Sequence, residues 1–153
     1  MKTRTIVFTL VLCFVGTVCF AQDVNIGTWK LNESKSKISQ GSNKNTTVVY
    51  EAVGESVKIT IDGVSSDGRP THTEWTGKYD SKDYPVIGDP DSDARSLTKI
   101  NDHTFGFNVK KGGRTTISGR IVVAADGKSR TVTTSGTDLK GKKVTSIAVF
   151  EKQ

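Results

Sequence analysis

Beyond residue 21 the sequence contains no cysteine, because Cys13 and Cys19 both fall in the first 21 positions. The remaining 132 residues therefore have no disulfide, no thiolate ligand and no thiol nucleophile, and stability must come from a packed core. Histidine is as scarce, with His72 and His103 alone, and tryptophan is limited to Trp29 and Trp75. No apolar run reaches the roughly 20 residues that a membrane-spanning helix needs. There is no Arg-rich run with interleaved aromatics, which argues against a nucleic-acid partner. Helical periodicity is also missing, together with linkers, low-complexity tracts and long internal repeats.

The first 21 residues do carry a pattern. Lys2 and Arg4 precede an apolar stretch at 6–18, and Cys19-Phe20-Ala21 places small residues at the third-last and last positions. This is the three-part layout of a secretory signal, with cleavage expected after Ala21 and a mature domain over 22–153. A lipid anchor is disfavoured because Leu12 and Val18, rather than small residues, precede the two cysteines. The expected location is periplasmic or secreted, without stable membrane insertion once the signal is removed. Taking Lys2 and Arg4 from the 22 basic residues leaves 20 against 16 acidic ones, so the net charge falls from +6 to +4. Those basic residues are scattered, as on a solvated surface.

From residue 45 onward the chain alternates apolar and polar with period two. The clearest case is Val57-Lys58-Ile59-Thr60-Ile61-Asp62, and Phe105-Gly106-Phe107-Asn108-Val109-Lys110 repeats it. Further strands are expected at 27–31, 46–52, 71–79, 95–100, 115–123, 130–137 and 144–151. Gly54-Glu55, Asp67-Gly68, Asn101-Asp102, Gly112-Gly113, Asp126-Gly127 and Lys140-Gly141 supply tight hairpin turns between them. Consecutive strands then pair antiparallel, and closing the meander removes its two exposed edges. The expected fold is all-β, an up-and-down meander of about nine or ten strands closed into a small barrel. Segments 32–44 and 80–93, the latter with Pro85 and Pro90, break the rhythm and are expected to be loops.

The opening strand Ile26-Gly27-Thr28-Trp29-Lys30-Leu31 resembles the Gly-x-Trp strand of the lipocalin and fatty-acid-binding superfamily. Val149-Phe150-Glu151-Lys152 is similar to its closing strand. The likeness is to the bacterial secreted lipocalin-like kind, and it implies a calycin-type barrel whose end is closed by the indole of Trp29. It does not carry over a ligand. Where fatty-acid-binding proteins hold a carboxylate with Arg-x-Tyr on the last strand, this chain has Ala148-Val149-Phe150. The lipocalin Thr-Asp-Tyr motif is absent, segment 32–44 is too short for a helical lid, and no arginine follows Arg130 to stack on Trp29.

Catalytic chemistry has few seats. His72-Thr73-Glu74 places an imidazole and a carboxylate on one strand face, as a base and its orienter require. Their parity is opposite to that of Trp75, however, which puts His72 and Glu74 on the solvent side. A hydrolase-like enzyme using His72 and Glu74 inside the barrel is thus the third reading, and His103 is expected exposed in a turn. Two histidines with no further ligands at suitable spacing make no zinc site. Asp89, Asp91 and Asp93 resemble the start of a calcium loop, but Ala94 and Ile100 stand where its glycine and closing glutamate belong, so a solvated acidic turn is expected. Neither a metal nor a cofactor is expected.

The interior remains. Trp29, Ile59, Trp75, Phe105, Phe107, Ile117 and Phe150 are the residues expected to line it, with Val57, Ile61, Val109 and Ile121 on the same faces. Barrels of about eight strands have just enough interior for side chains, whereas nine or ten strands with many small residues leave volume unfilled. The leading expectation is a non-enzymatic binder of a small apolar or amphipathic molecule. The competing one is an envelope or extracellular protein-interaction module with a solid core, acting through loop 80–93.

Overall fold

The computed structural model describes residues 23–137 and 143–153. The signal-like segment 1–21 and the turn at Lys140-Gly141 lie outside the described residues. Ten strands run in order: β1 (Gly27–Leu31), β2 (Lys44–Val53), β3 (Ser56–Val64), β4 (Pro70–Gly77), β5 (Tyr84–Ile87), β6 (Ala94–Asn101), β7 (Thr104–Lys111), β8 (Arg114–Val123), β9 (Ser129–Thr137) and β10 (Lys143–Lys152). Each pairs antiparallel with the next, and β1 also pairs with β10, so the sheet closes into an up-and-down barrel. Gly54, Gly68, Gly112 and Gly127 take positive φ in the hairpins, where L side chains are strained.

Two segments depart from the loops read in the sequence. Segment 80–93 contains β5, a four-residue strand held by two residue pairs on each side: Glu74 with Ile87, Trp75 with Val86, Tyr84 with Arg95 and Pro85 with Ala94. Pro85 lacks a donor for the ladder, which keeps this strand short. Segment 32–44 begins with a single 3-10 turn (Glu33–Lys35) capped by the Asn32 side chain. It then runs beside β10, exchanging backbone hydrogen bonds between Lys37 and Ile147 at 2.7 and 2.8 Å. This strap takes the place of a strand along the upper edge of β10.

The period-two pattern divides the barrel wall as expected, and the inward side chains pack most tightly toward one end. Trp29, Trp75, Phe105, Ile59 and Leu97 are all nearly inaccessible. At the other end the first five residues of β8, Arg114 to Ser118, are exposed. The barrel is therefore a cup, with a packed floor near the start of β1 and a mouth bordered by the β1–β2, β3–β4 and β5–β6 connections.

A candidate ligand-binding site in the barrel

Residues Asp23 to Ile26 cross beneath the barrel and complete its floor. The indole Nε1–H of Trp29 donates to the backbone carbonyl of Asn25 at 2.7 Å, and both residues are fully buried. Gly27, at φ +126°, lets the chain turn from this crossing segment into β1. Tyr79 packs on Phe105 with ring centroids 5.1 Å apart, and its hydroxyl donates to the Asp23 carboxylate. Burial, and then the neighbouring Asp23, push the Tyr79 phenol pKa well above its ordinary value.

The floor also holds a cation. Arg130, the second residue of β9, is 2% exposed, with its guanidinium 4.6 Å from the Trp29 ring, 4.7 Å from Tyr50 and 5.2 Å from Phe150. Its Nη1 reaches the Asn25 side-chain oxygen at 3.5 Å. This corrects the expectation that nothing stacks on Trp29: the stacking arginine is Arg130 itself, not a residue after it. Burial lowers its pKa, but a guanidinium keeps its proton in proteins, so the charge persists and the rings supply the attraction.

Above this floor lies an inner cavity of ≈ 130 Å³. Of the seven residues expected to line the interior, Ile59, Phe107, Ile117 and Phe150 border this cavity. Trp29, Trp75 and Phe105 instead belong to the packed floor and lower wall, where Trp75 donates to the Arg95 carbonyl at 3.0 Å and meets Tyr84 edge-on. A second, wider cup of ≈ 340 Å³ opens at the mouth between the β1–β2, β3–β4 and β5–β6 connections. The two spaces share Asn45, Ile61 and Arg95, so they meet at a throat. The inner space is mainly aliphatic and aromatic, and the outer one is bordered by Asn43, Ser65, Ser66 and Thr71. An apolar chamber behind a polar mouth suits a molecule with one apolar and one polar end.

The other candidate residues lie elsewhere. His72 and Glu74 project from the outer face of β4, with side-chain exposures of 60% and 36%. His72 Nδ1 meets Asp62 at 2.6 Å across the β3–β4 ladder, and Glu74 pairs with Lys58 at 2.7 Å, which lowers the Glu74 pKa. The reading in which His72 and Glu74 act inside the barrel is thereby overturned. His103 is half-buried rather than exposed, and its Nδ1 has no partner. In the acidic turn, Asp89 accepts from the Asp91 amide and the Ser92 hydroxyl, and Asp93 accepts from the Gly112 amide, so two of the three carboxylates hold the loop.

No protein-family model matches the sequence, and no curated protein is significantly similar to it. Several solved structures are similar to it. The S-type phycobiliprotein lyase CPES from Guillardia theta matches with a TM-score of 0.53 at 14% identity, over 85% of this chain and 89% of that one. EF1p2_mFAP2b, solved bound to DFHBI, matches with a TM-score of 0.48 at 12% identity over 87% and 97% of the two chains. Lobster apocrustacyanin A1 gives 0.45 at 13% identity, over 86% of this chain and 62% of that one. At such identities the likeness is one of fold, and with ten antiparallel strands closed in sequence order this chain has the fold of a lipocalin-like β-barrel.

Proposed function

We propose that this protein is an exported, non-enzymatic binding protein that holds a small apolar or amphipathic molecule inside its barrel. The observation that carries this reading is the unfilled apolar chamber opening through a throat to a polar cup. Protein interiors are normally packed to crystal-like density, so a chamber of this size bordered by Ile59, Leu97, Phe107 and Ile117 forgoes contacts that a bound apolar group supplies. A solid core would favour the interaction-module reading, whereas the chamber favours a binder.

Neither tryptophan borders the chamber, so a bound probe is a better reporter than intrinsic emission. The environment-sensitive dye N-phenyl-1-naphthylamine should brighten on titration with the protein and be displaced by a cell-envelope lipid extract. Ile117→Trp, which places a large ring in the chamber, should abolish both effects while leaving the fold intact by circular dichroism. Absence of dye binding to the parent protein, together with no co-purifying molecule by native mass spectrometry, would sink the proposal. Export rests on the segment 1–21 and has its own check: intact mass of the full-length product from a bacterial periplasmic fraction should correspond to a chain beginning at Gln22.

A further inference from the structure

Two arginines enter the barrel interior, and their surroundings differ. Arg130 has aromatic rings near its guanidinium. Arg95 has the same inward parity as Leu97 on β6, and its backbone is fixed by the Trp75 indole that donates to its carbonyl. Its Nε is buried with no hydrogen-bond partner, and among the described residues no carboxylate lies within 4 Å of its guanidinium. The residue as a whole is half-buried, but this inward nitrogen is cut off from water without a partner, a costly arrangement that an anion in the throat would relieve.

The carboxylates bordering the cup do not fill the role. Asp67 is bound by Arg69 at 2.6 Å, and the two oxygens of Asp89 accept from the Asp91 amide and the Ser92 hydroxyl within their own turn. Asp89 attracts Arg95 only from beyond ion-pair distance, and Asp91 faces solvent. Arg95 borders both spaces, so an anion on its inner side would have apolar groups behind it and polar groups in front.

We propose that Arg95 receives the carboxylate of an amphipathic organic acid at the throat, with the apolar body of that acid in the inner chamber. The inference rests on the reading of the barrel as a small-molecule binder and adds the charge and orientation of the ligand. The guanidinium fork matches a carboxylate with two parallel N–H···O bonds, a geometry that an ammonium cannot reproduce. Asn45, at the β2 bulge beside the throat, offers a further donor to the head group. The ligand enters body first and leaves its head toward the mouth.

The test compares octanoate with its uncharged methyl ester by isothermal titration calorimetry, on the parent protein, Arg95→Gln and Arg95→Lys. The parent should bind the acid about ten-fold or more tightly than the ester, the scale of one charge-assisted hydrogen-bonded pair. Arg95→Gln should erase that ratio by weakening the acid alone. Arg95→Lys, which keeps the charge and loses the fork, should bind the acid at an intermediate level and the ester as the parent does; it also serves if the glutamine variant fails to fold. Equal binding of acid and ester to the parent, or an unchanged ratio in the glutamine variant, overturns the role of Arg95 and leaves the binding barrel standing. Binding of neither compound to the parent overturns this inference, while dye binding separately decides the broader proposal.

Discussion

Replacing Trp29 by alanine removes the largest side chain of the barrel floor, and the structure fixes what is lost. The ring is fully buried, so the cavity and transfer cost falls in the range of about 3 to 5 kcal/mol seen for large aromatic truncations. The Asn25 carbonyl loses its indole donor at 2.7 Å and stays buried, adding about 1 to 3 kcal/mol. Arg130 loses one of its three rings, for about another 1 kcal/mol. Against a usual domain stability of about 5 to 15 kcal/mol, Trp29→Ala should unfold in much lower urea than the parent or fail to fold. Trp29→Phe keeps most of the volume and the ring face, so its loss should be close to the hydrogen-bond contribution alone, about 1 to 3 kcal/mol. Equilibrium urea unfolding reads both variants, with Trp75 as the remaining fluorophore. An alanine variant within about 1 kcal/mol of the parent, well below the range for a buried ring, would refute the account of the floor.

Arg130→Met should stay within about 2 kcal/mol of the parent, because shedding an unpaired interior charge offsets the lost ring contacts. Arg130→Ala, which also empties the space between three rings, should lose about 3 to 5 kcal/mol, and equal losses in the two variants by urea unfolding would mean that charge rather than volume holds the site. Tyr79 gives an alkaline dependence. Its folded pKa lies above the ordinary value of 10.0, so its contribution is intact below pH 10 and is lost as pH rises and the unfolded chain gives up the proton. Urea midpoints should therefore fall progressively as pH rises above about 10, and Tyr79→Phe should flatten that slope; an unaltered slope in the variant would remove Tyr79 as its source.

The wall of the barrel was legible because alternation and turn chemistry agree at nearly every hairpin. The strand 57–62 was read with Val57, Ile59 and Ile61 inward, and they lie buried in that register. β5 was hidden because Pro85 signals a loop and only four residues pair, too few for a period to register. Arg130 and Arg95 were hidden for another reason. Each stands on the inward parity of its strand, with Val132 and Leu97 respectively, but arginine is ordinarily assigned to solvent whatever its parity. A basic residue in phase with the apolar set was the available signal. The division of aromatic residues between floor and chamber was not legible, since it depends on height along the barrel axis, and alternation reports only which face of the sheet a residue takes.

The narrow attachment of β5 bears on how the chamber is reached. The other neighbouring strands are held by three to nine residue pairs, but between β4 and β6 the wall is held by two residue pairs on each side of β5. Separating so few pairs requires far less free energy than unfolding the domain, so local opening should concentrate there, and the amides of β5 should exchange with deuterium well before those of β3 or β8. Because β5 leads directly into the Gly88 to Asp91 rim of the mouth, such an opening would widen the throat from the side. The size of molecule that can pass is then governed by how often this seam parts, and the rate of entry becomes a property of one short strand rather than of the resting diameter of the barrel.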